Sequence, residues 1–242
     1  MATGHIEYSA PIASVRFTPI EVPNPHPAVE KVVVEADSEQ LTVAFHLVDV
    51  FTDADANAIV GDLLASIVNR LAFELNVSIG ESHMTGSTIP KDVSGSLHTV
   101  SKSLLITYNV AAPTHTLGDD RRQKIAELLR QPVARPDLYS AFRFAANQED
   151  AVARFMFLYN ILLQLHDDNQ RQLDRFVRQQ APRVPQSPRP DKPSVMETVY
   201  TRLRNQVGHR RSRAAPGQTR SEIEDNVGSF QELVRTAISR TK

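Results

Sequence analysis

Along the first half of the chain the apolar positions alternate as strands require. Lys31-Val32-Val33-Val34-Glu35-Ala36 and the run from Leu41 to Val50 are rich in β-branched residues, with polar Asp37-Ser38-Glu39-Gln40 between them, so a hairpin is predicted. In the second run Leu41, Val43, Phe45 and Leu47 share one face, and Thr42, Ala44 and His46 the other. Thr52 then opens a predicted helix, with Asp55 as its capping partner. Ile59, Leu63, Ile67 and Leu71, backed by Val60, Leu64 and Val68, give it a stripe wide enough to pack on a sheet. Asn76-Val77-Ser78-Ile79 and the run from Ser103 to Val110 read as further strands. The segment from Gly80 to Gly95, with its Gly, Ser, Thr and Pro, reads as a long loop. Residues 1–113 are therefore expected to form a small α+β domain, with no motif that assigns it a role.

From Leu117 the period becomes helical. A charged amphipathic helix is predicted from Asp119 to Leu129, ended by Pro132, and a short one from Asp137 to Ala146. A long helix begins at Glu149 and runs through Val177, with Asp167-Asp168-Asn169 as a bend or break. Pro182, Pro185, Pro188, Pro190 and Pro193 then allow no helix, so residues 182–193 are predicted to be a loop or stiff extended connector. Another helix is expected from about Ser194 to His209, burying Met196, Val199, Leu203 and Val207. The last helix is predicted to start at a capping box, Thr219-Arg220-Ser221-Glu222, worth ~1 kcal/mol for its cap. The expected fold class is thus α+β, with a helical bundle over residues 118–242.

Composition narrows the chemistry. A chain of 242 residues, 41% hydrophobic, can bury one large core or two modest ones. Its net charge of −1 means that any polyanion site must be a local concentration of cations. The absence of cysteine excludes disulfides, thiolate catalysis and Cys-based zinc sites. The amino-terminal residues show no basic segment followed by an apolar run, and no apolar stretch approaches the ~20 residues that span a bilayer, so a soluble cytoplasmic protein is expected. His83, Asp92, His98 and His115 lack metal-ligand spacing, and His166, Asp167 and Asp168 would fan apart around a helix. Ser82, Ser87 and Ser94 lack a nucleophile elbow, and Gly80, Gly86 and Gly95 make no phosphate loop. Neither metal nor cofactor is expected.

One segment carries chemistry: Glu197-Thr-Val-Tyr200-Thr-Arg202-Leu-Arg204-Asn205-Gln-Val-Gly208-His209-Arg210-Arg211-Ser-Arg213. On a helix Asn205 and His209 lie about 40° apart, one turn from each other, while Arg204 and His209 are about 140° apart. Gly208 favours an early helix end, where the long Arg204 stem reaches the same spot. A guanidinium there matches phosphate oxygens, and an imidazole exchanges protons near neutral pH. Asn205 can orient either. Such a set supports metal-free cleavage in which a ribose 2′-hydroxyl attacks the adjacent phosphorus. One imidazole cannot easily be base and acid together, whereas a twofold dimer supplies two. Arg202, Arg210, Arg211 and Arg213 would add basic charge for RNA, and Tyr200 a ring for a base.

Arg-Asn-xxx-His on the penultimate helix of an all-α bundle resembles the HEPN (higher eukaryotes and prokaryotes nucleotide-binding) superfamily. The wording around it is also similar to bacterial proteins of the methylamine-utilisation J-type and ApeA-like groups. The resemblance spans residues 118–242. It implies a metal-independent endoribonuclease of the toxin or antiphage kind, working as a homodimer through the helical bundle. Arg204, Asn205 and His209 would be its catalytic set, RNA its substrate, and the first domain the seat of a regulatory partner. The alternative it allows is a non-catalytic RNA- or nucleotide-binding or interaction module, as in an accessory protein of a metabolic operon. Arg211 stands where nucleotidylated members carry a Tyr, which argues against that form of silencing.

Overall fold

The computed structural model describes residues 3–50, 52–91, 96–101, 114–209 and 215–241. They divide into two units, Met1–Pro136 and Asp137–Lys242, and the fold class is mixed α+β.

The first unit contains strands β1 (Thr3–Pro11), β2 (Val15–His26), β3 (Val29–Asp37), β4 (Gln40–Val48), β5 (His83–Lys91), β6 (Ser96–Ser101) and β7 (His115–Thr116), with helices α1 (Asp53–Leu75) and α2 (Asp119–Arg130). The strands make one sheet in the order β6-β5-β1-β4-β3-β2-β7, antiparallel except for the short β2–β7 pairing. The predicted hairpin is β3–β4, with Val32 opposite Phe45 and Val34 opposite Val43. The Thr52 hydroxyl caps α1 as predicted: its oxygen accepts from the Asp55 N–H at 3.1 Å. Ala56, Val60, Val68 and Leu71 of α1 share one core with Leu41, Val43, Phe45 and Leu47, so the helix covers a single face of the sheet.

Several expectations for this unit are corrected. Strands β1 and β2 have no counterpart in the prediction. Pro19, Pro23 and Pro25 interrupt the pattern of β2, and its pairing to β3 shifts register between Phe17 and Ile20 and between Pro23 and His26. Beyond its first residues β2 has no second neighbour among the described residues, so the missing N–H groups cost little there. The expected Gly80–Gly95 loop is largely β5. Asn76 is not in a strand but ends α1 in the left-handed region, at φ 57°, and only Ile79 bridges the sheet, opposite Ile12. The expected strand at 103–110 lies outside the described residues. Helix α2, expected to open the bundle at residue 118, belongs to this unit instead. Its Ile125 joins the sheet core. Arg70 of α1 is 7% exposed and donates to the Leu128 carbonyl, to that of Gln131 at 2.6 Å and to that of Pro132 at 3.4 Å, closing the carboxyl end of α2.

The second unit contains α3 (Pro136–Ala146), α4 (Ala151–Gln164), α5 (Gln170–Gln180), β8 (Gln186–Arg189), β9 (Lys192–Thr198), α6 (Val199–His209) and α7 (Pro216–Ser239). The break foreseen at Asp167-Asp168-Asn169 is present. Asp167 and Asp168 have φ of 53° and 55°, and the Asn169 side chain caps α5 through the N–H groups of Arg171 and Gln172. The Pro-rich connector is instead the β8–β9 hairpin, with Pro188 opposite Met196. In a two-stranded ribbon each strand keeps an outer edge, where proline is tolerated. This hairpin takes the first turn from the expected 194–209 helix, which starts at Val199 and leaves Met196 exposed. The last helix starts at Pro216, so Thr219 is buried inside it and is not its cap. Phe155 and Tyr159 of α4, Tyr200 of α6 and Phe230 of α7 pack as one aromatic cluster, with Phe230 4.5 Å from Tyr200 and 5.1 Å from Phe155.

Candidate functional site

Strand β9 runs directly into α6, and the junction is tied to α5 by one carboxylate. Oδ1 of Asp174 accepts from the Thr198 N–H at 3.2 Å, the Thr198 hydroxyl at 2.6 Å and the Thr201 hydroxyl at 2.8 Å. All three residues are buried. A buried carboxylate is tolerated only where donors replace water, and here three do. Tyr159 extends the network, its hydroxyl 3.1 Å from that of Thr201. Burial, together with the charges of Asp174 and Glu197, pushes the Tyr159 phenol up to about 12 against the opposing pull of Thr201 and Arg204. It is a neutral hydrogen-bonding group at physiological pH.

This frame fixes the direction of α6, and the motif follows. Arg204 and Asn205 are brought together. The Arg204 guanidinium lies over the Tyr159 ring, 5.8 Å from its centre, and donates to Oδ1 of Asn205 at 3.1 Å. Gln170 of α5 donates to the same oxygen at 3.4 Å. The Asn205 amide nitrogen donates to Oε2 of Glu197 at 3.2 Å. Asn205 is 4% exposed and Glu197 1%, so the amide is an internal connector, and Arg204, half-buried, is the group it aims. Helix α6 ends at His209, one turn beyond Asn205. The His209 side chain and residues Arg210, Arg211 and Arg213 lie outside the described residues.

Two residues expected to contact RNA are engaged within the unit. Tyr200 is buried against Phe230 in a stacked arrangement, which leaves no ring face for a base. Arg202 pairs with Glu222 of α7 and also donates to Oε1 of Gln206, one turn along α6, at 3.4 Å.

No family model, no curated protein and no solved structure matches this chain. What the site can do therefore rests on its own geometry.

Three parts of that geometry were not foreseen. Glu197 begins the motif segment, yet nothing in the spacing links it to Asn205 until β9 turns it inward. Asp174 reads as one more charge on a polar helix. Arg171, Arg175 and Arg178 did carry a signal, recurring at helical spacing opposite buried Leu173 and Val177. They line a hollow of about 390 Å³ between α5 and β9, with Asp174 and Thr201 also in its wall.

Proposed function

We propose that the second unit is an RNA-directed module and that the Arg204–His209 end of α6 is a metal-independent endoribonuclease site of the HEPN kind. The observation that carries this is the orientation of Arg204. Asn205 holds its guanidinium over Tyr159, and Glu197 and Gln170 hold Asn205. A guanidinium fixed in advance one turn before a histidine is what stabilising a pentavalent phosphate requires. In the reaction an imidazole accepts the 2′-hydroxyl proton, the 2′-oxygen attacks phosphorus, and the 5′-oxygen leaves with a proton from a second acid. A homodimer joined through the bundle supplies that acid as the second His209. The toxin or antiphage setting, cytoplasmic location and regulatory use of the first unit belong to the same proposal, by resemblance.

A second reading, RNA or nucleotide binding without cleavage, is favoured by the burial of Glu197 and Asn205 beside Arg204. A carboxylate this close competes with phosphate for the guanidinium. The two readings separate on purified protein incubated with RNA. The nuclease reading expects cleavage that falls about a hundredfold or more in His209→Ala and Arg204→Ala, with the thermal midpoint retained in His209→Ala. Cleavage unchanged in His209→Ala overturns the assigned roles. RNA retained but uncut by the unaltered protein supports the second reading.

A further inference from the structure

We propose that α5 and the β8–β9 hairpin form a groove that holds the phosphate backbone of single-stranded RNA beside the Arg204–Asn205 motif. The inference rests on the RNA-directed reading above and names the surface by which the strand reaches the site.

Arg171, Arg175 and Arg178 fall within about 60° of arc on α5. The opposite face is held in the core by Leu173 and Val177, so packing obliges the arginines to point outward. Along the helix axis they rise by roughly 6 Å and then 4.5 Å. They make a row rather than a cluster about one point, which suits successive phosphates of a strand better than one small anion.

The same three differ from other arginines of the unit. Arg202, Arg220 and Arg235 each pair with a carboxylate of Glu or Asp. Among the described residues Arg171, Arg175 and Arg178 have no ion-pair partner. Arg189 of β8, which pairs with Asp191, faces them across the hollow. The carboxylate in that wall, Asp174, already accepts three hydrogen bonds. Met196, 43% exposed, adds an apolar surface on which a base can rest.

An adjoining hollow of about 450 Å³ shares Gln170, Arg171 and Arg189 but is lined by Asp167 and Asp168. Its carboxylates repel phosphate and set one end of the track. Gln170, lining both hollows, hydrogen-bonds Asn205 and so connects the row of cations to the motif.

The test uses the full chain carrying His209→Ala, which separates binding from turnover, and fluorescence anisotropy with a short labelled single-stranded RNA across a salt series. Changing Arg171, Arg175 and Arg178 together to Gln is expected to weaken binding about tenfold or more. The slope of log affinity against log salt should become shallower by about 2, from roughly 0.7 for each lost phosphate contact. Arg171 and Arg175 are exposed and Arg178 is half-buried, so Gln fits on this outward helix face, and an unchanged circular-dichroism melting curve checks this. Lys124→Gln, on α2, should change neither quantity. Equal affinity and slope in the triple variant, no RNA binding by the parent protein, or displacement by AMP as efficient as by the oligonucleotide each overturns the groove. RNA bound through these arginines but never cut by the unaltered chain supports the groove while defeating the nuclease reading.

Discussion

The Asn205 amide donates to the buried carboxylate of Glu197 at 3.2 Å, and this bond fixes which way Asn205 offers its oxygen to Arg204. Asn205→Ala removes both ends of the connection and leaves a carboxylate without one of its donors. It is expected to lower unfolding stability by about 1–3 kcal/mol in urea titrations. It should also reduce RNA cleavage through kcat more than through KM, because Arg204 loses its orientation rather than its charge. Unchanged cleavage with reduced stability would assign Asn205 to the fold alone.

His166 gives the second unit a pH dependence of definite sign. Its Nε2 is buried without a hydrogen-bond partner among the described residues, and its ring lies 5.0 Å from that of Phe176. Burial holds its pKa below the ordinary 6.5. The folded state therefore favours the neutral ring. Its contribution to stability is complete above 6.5 and is lost as pH falls from there through the lowered folded value. His46 in the first unit shifts the same way, by burial first and then by the charges of His5 and Lys31. The readout is thus a difference. Urea midpoints at about pH 7.5 and pH 5.5 should fall less in His166→Phe than in the parent protein, and an equal fall would contradict the assignment.

Arg70 holds the carboxyl end of α2 from within the first unit. Arg70→Met keeps much of the buried stem but withdraws the donors from the Leu128, Gln131 and Pro132 carbonyls. A loss of about 2–4 kcal/mol is expected in chemical denaturation. A loss below about 0.5 kcal/mol would show that water replaces the guanidinium freely.

Ala215, the N-cap residue just before Pro216, gives helix α7 no side-chain cap. Ala215→Asp offers an acceptor to the free N–H groups and a negative charge to the positive end of the helix, so it should stabilise by about 0.5–2 kcal/mol. Thr219, where the sequence places the cap, lies inside the helix with its hydroxyl 3.4 Å from Oε1 of Gln206. Thr219→Asp should destabilise, because it buries a charge there. Thermal melts of the two variants should move in opposite directions.

How much of this was legible beforehand follows from where periodicity is strong. The β3–β4 hairpin and α1 were legible because Leu41, Val43, Phe45 and Leu47 alternate without a break and Thr52 supplies a real cap. Strand β2 was hidden because Pro19, Pro23 and Pro25 mimic a loop, and among the described residues they fall where β2 has no second strand beside it. Pro188 and Pro190 concealed the β8–β9 hairpin in the same way. Thr219 misplaced the start of α7 because a capping box is a local pattern, whereas Pro216 three residues earlier already permits a helix. At the site, adjacency made Arg204–Asn205 visible. The partners that decide what the pair does, Glu197, Tyr159, Gln170 and Asp174, come from three other elements and needed the fold to bring them near.

The most direct measurement is the chemistry of the product ends when the purified chain is incubated with RNA in excess chelator. Fragments ending in a 2′,3′-cyclic phosphate and a 5′-hydroxyl, with an intact strand wherever the cleaved position is replaced by a 2′-deoxynucleotide, are expected if Arg204 and His209 promote attack by the ribose hydroxyl. Cleavage that stops with the chelator, or that yields a 5′-phosphate, would contradict a metal-free Arg204–His209 site.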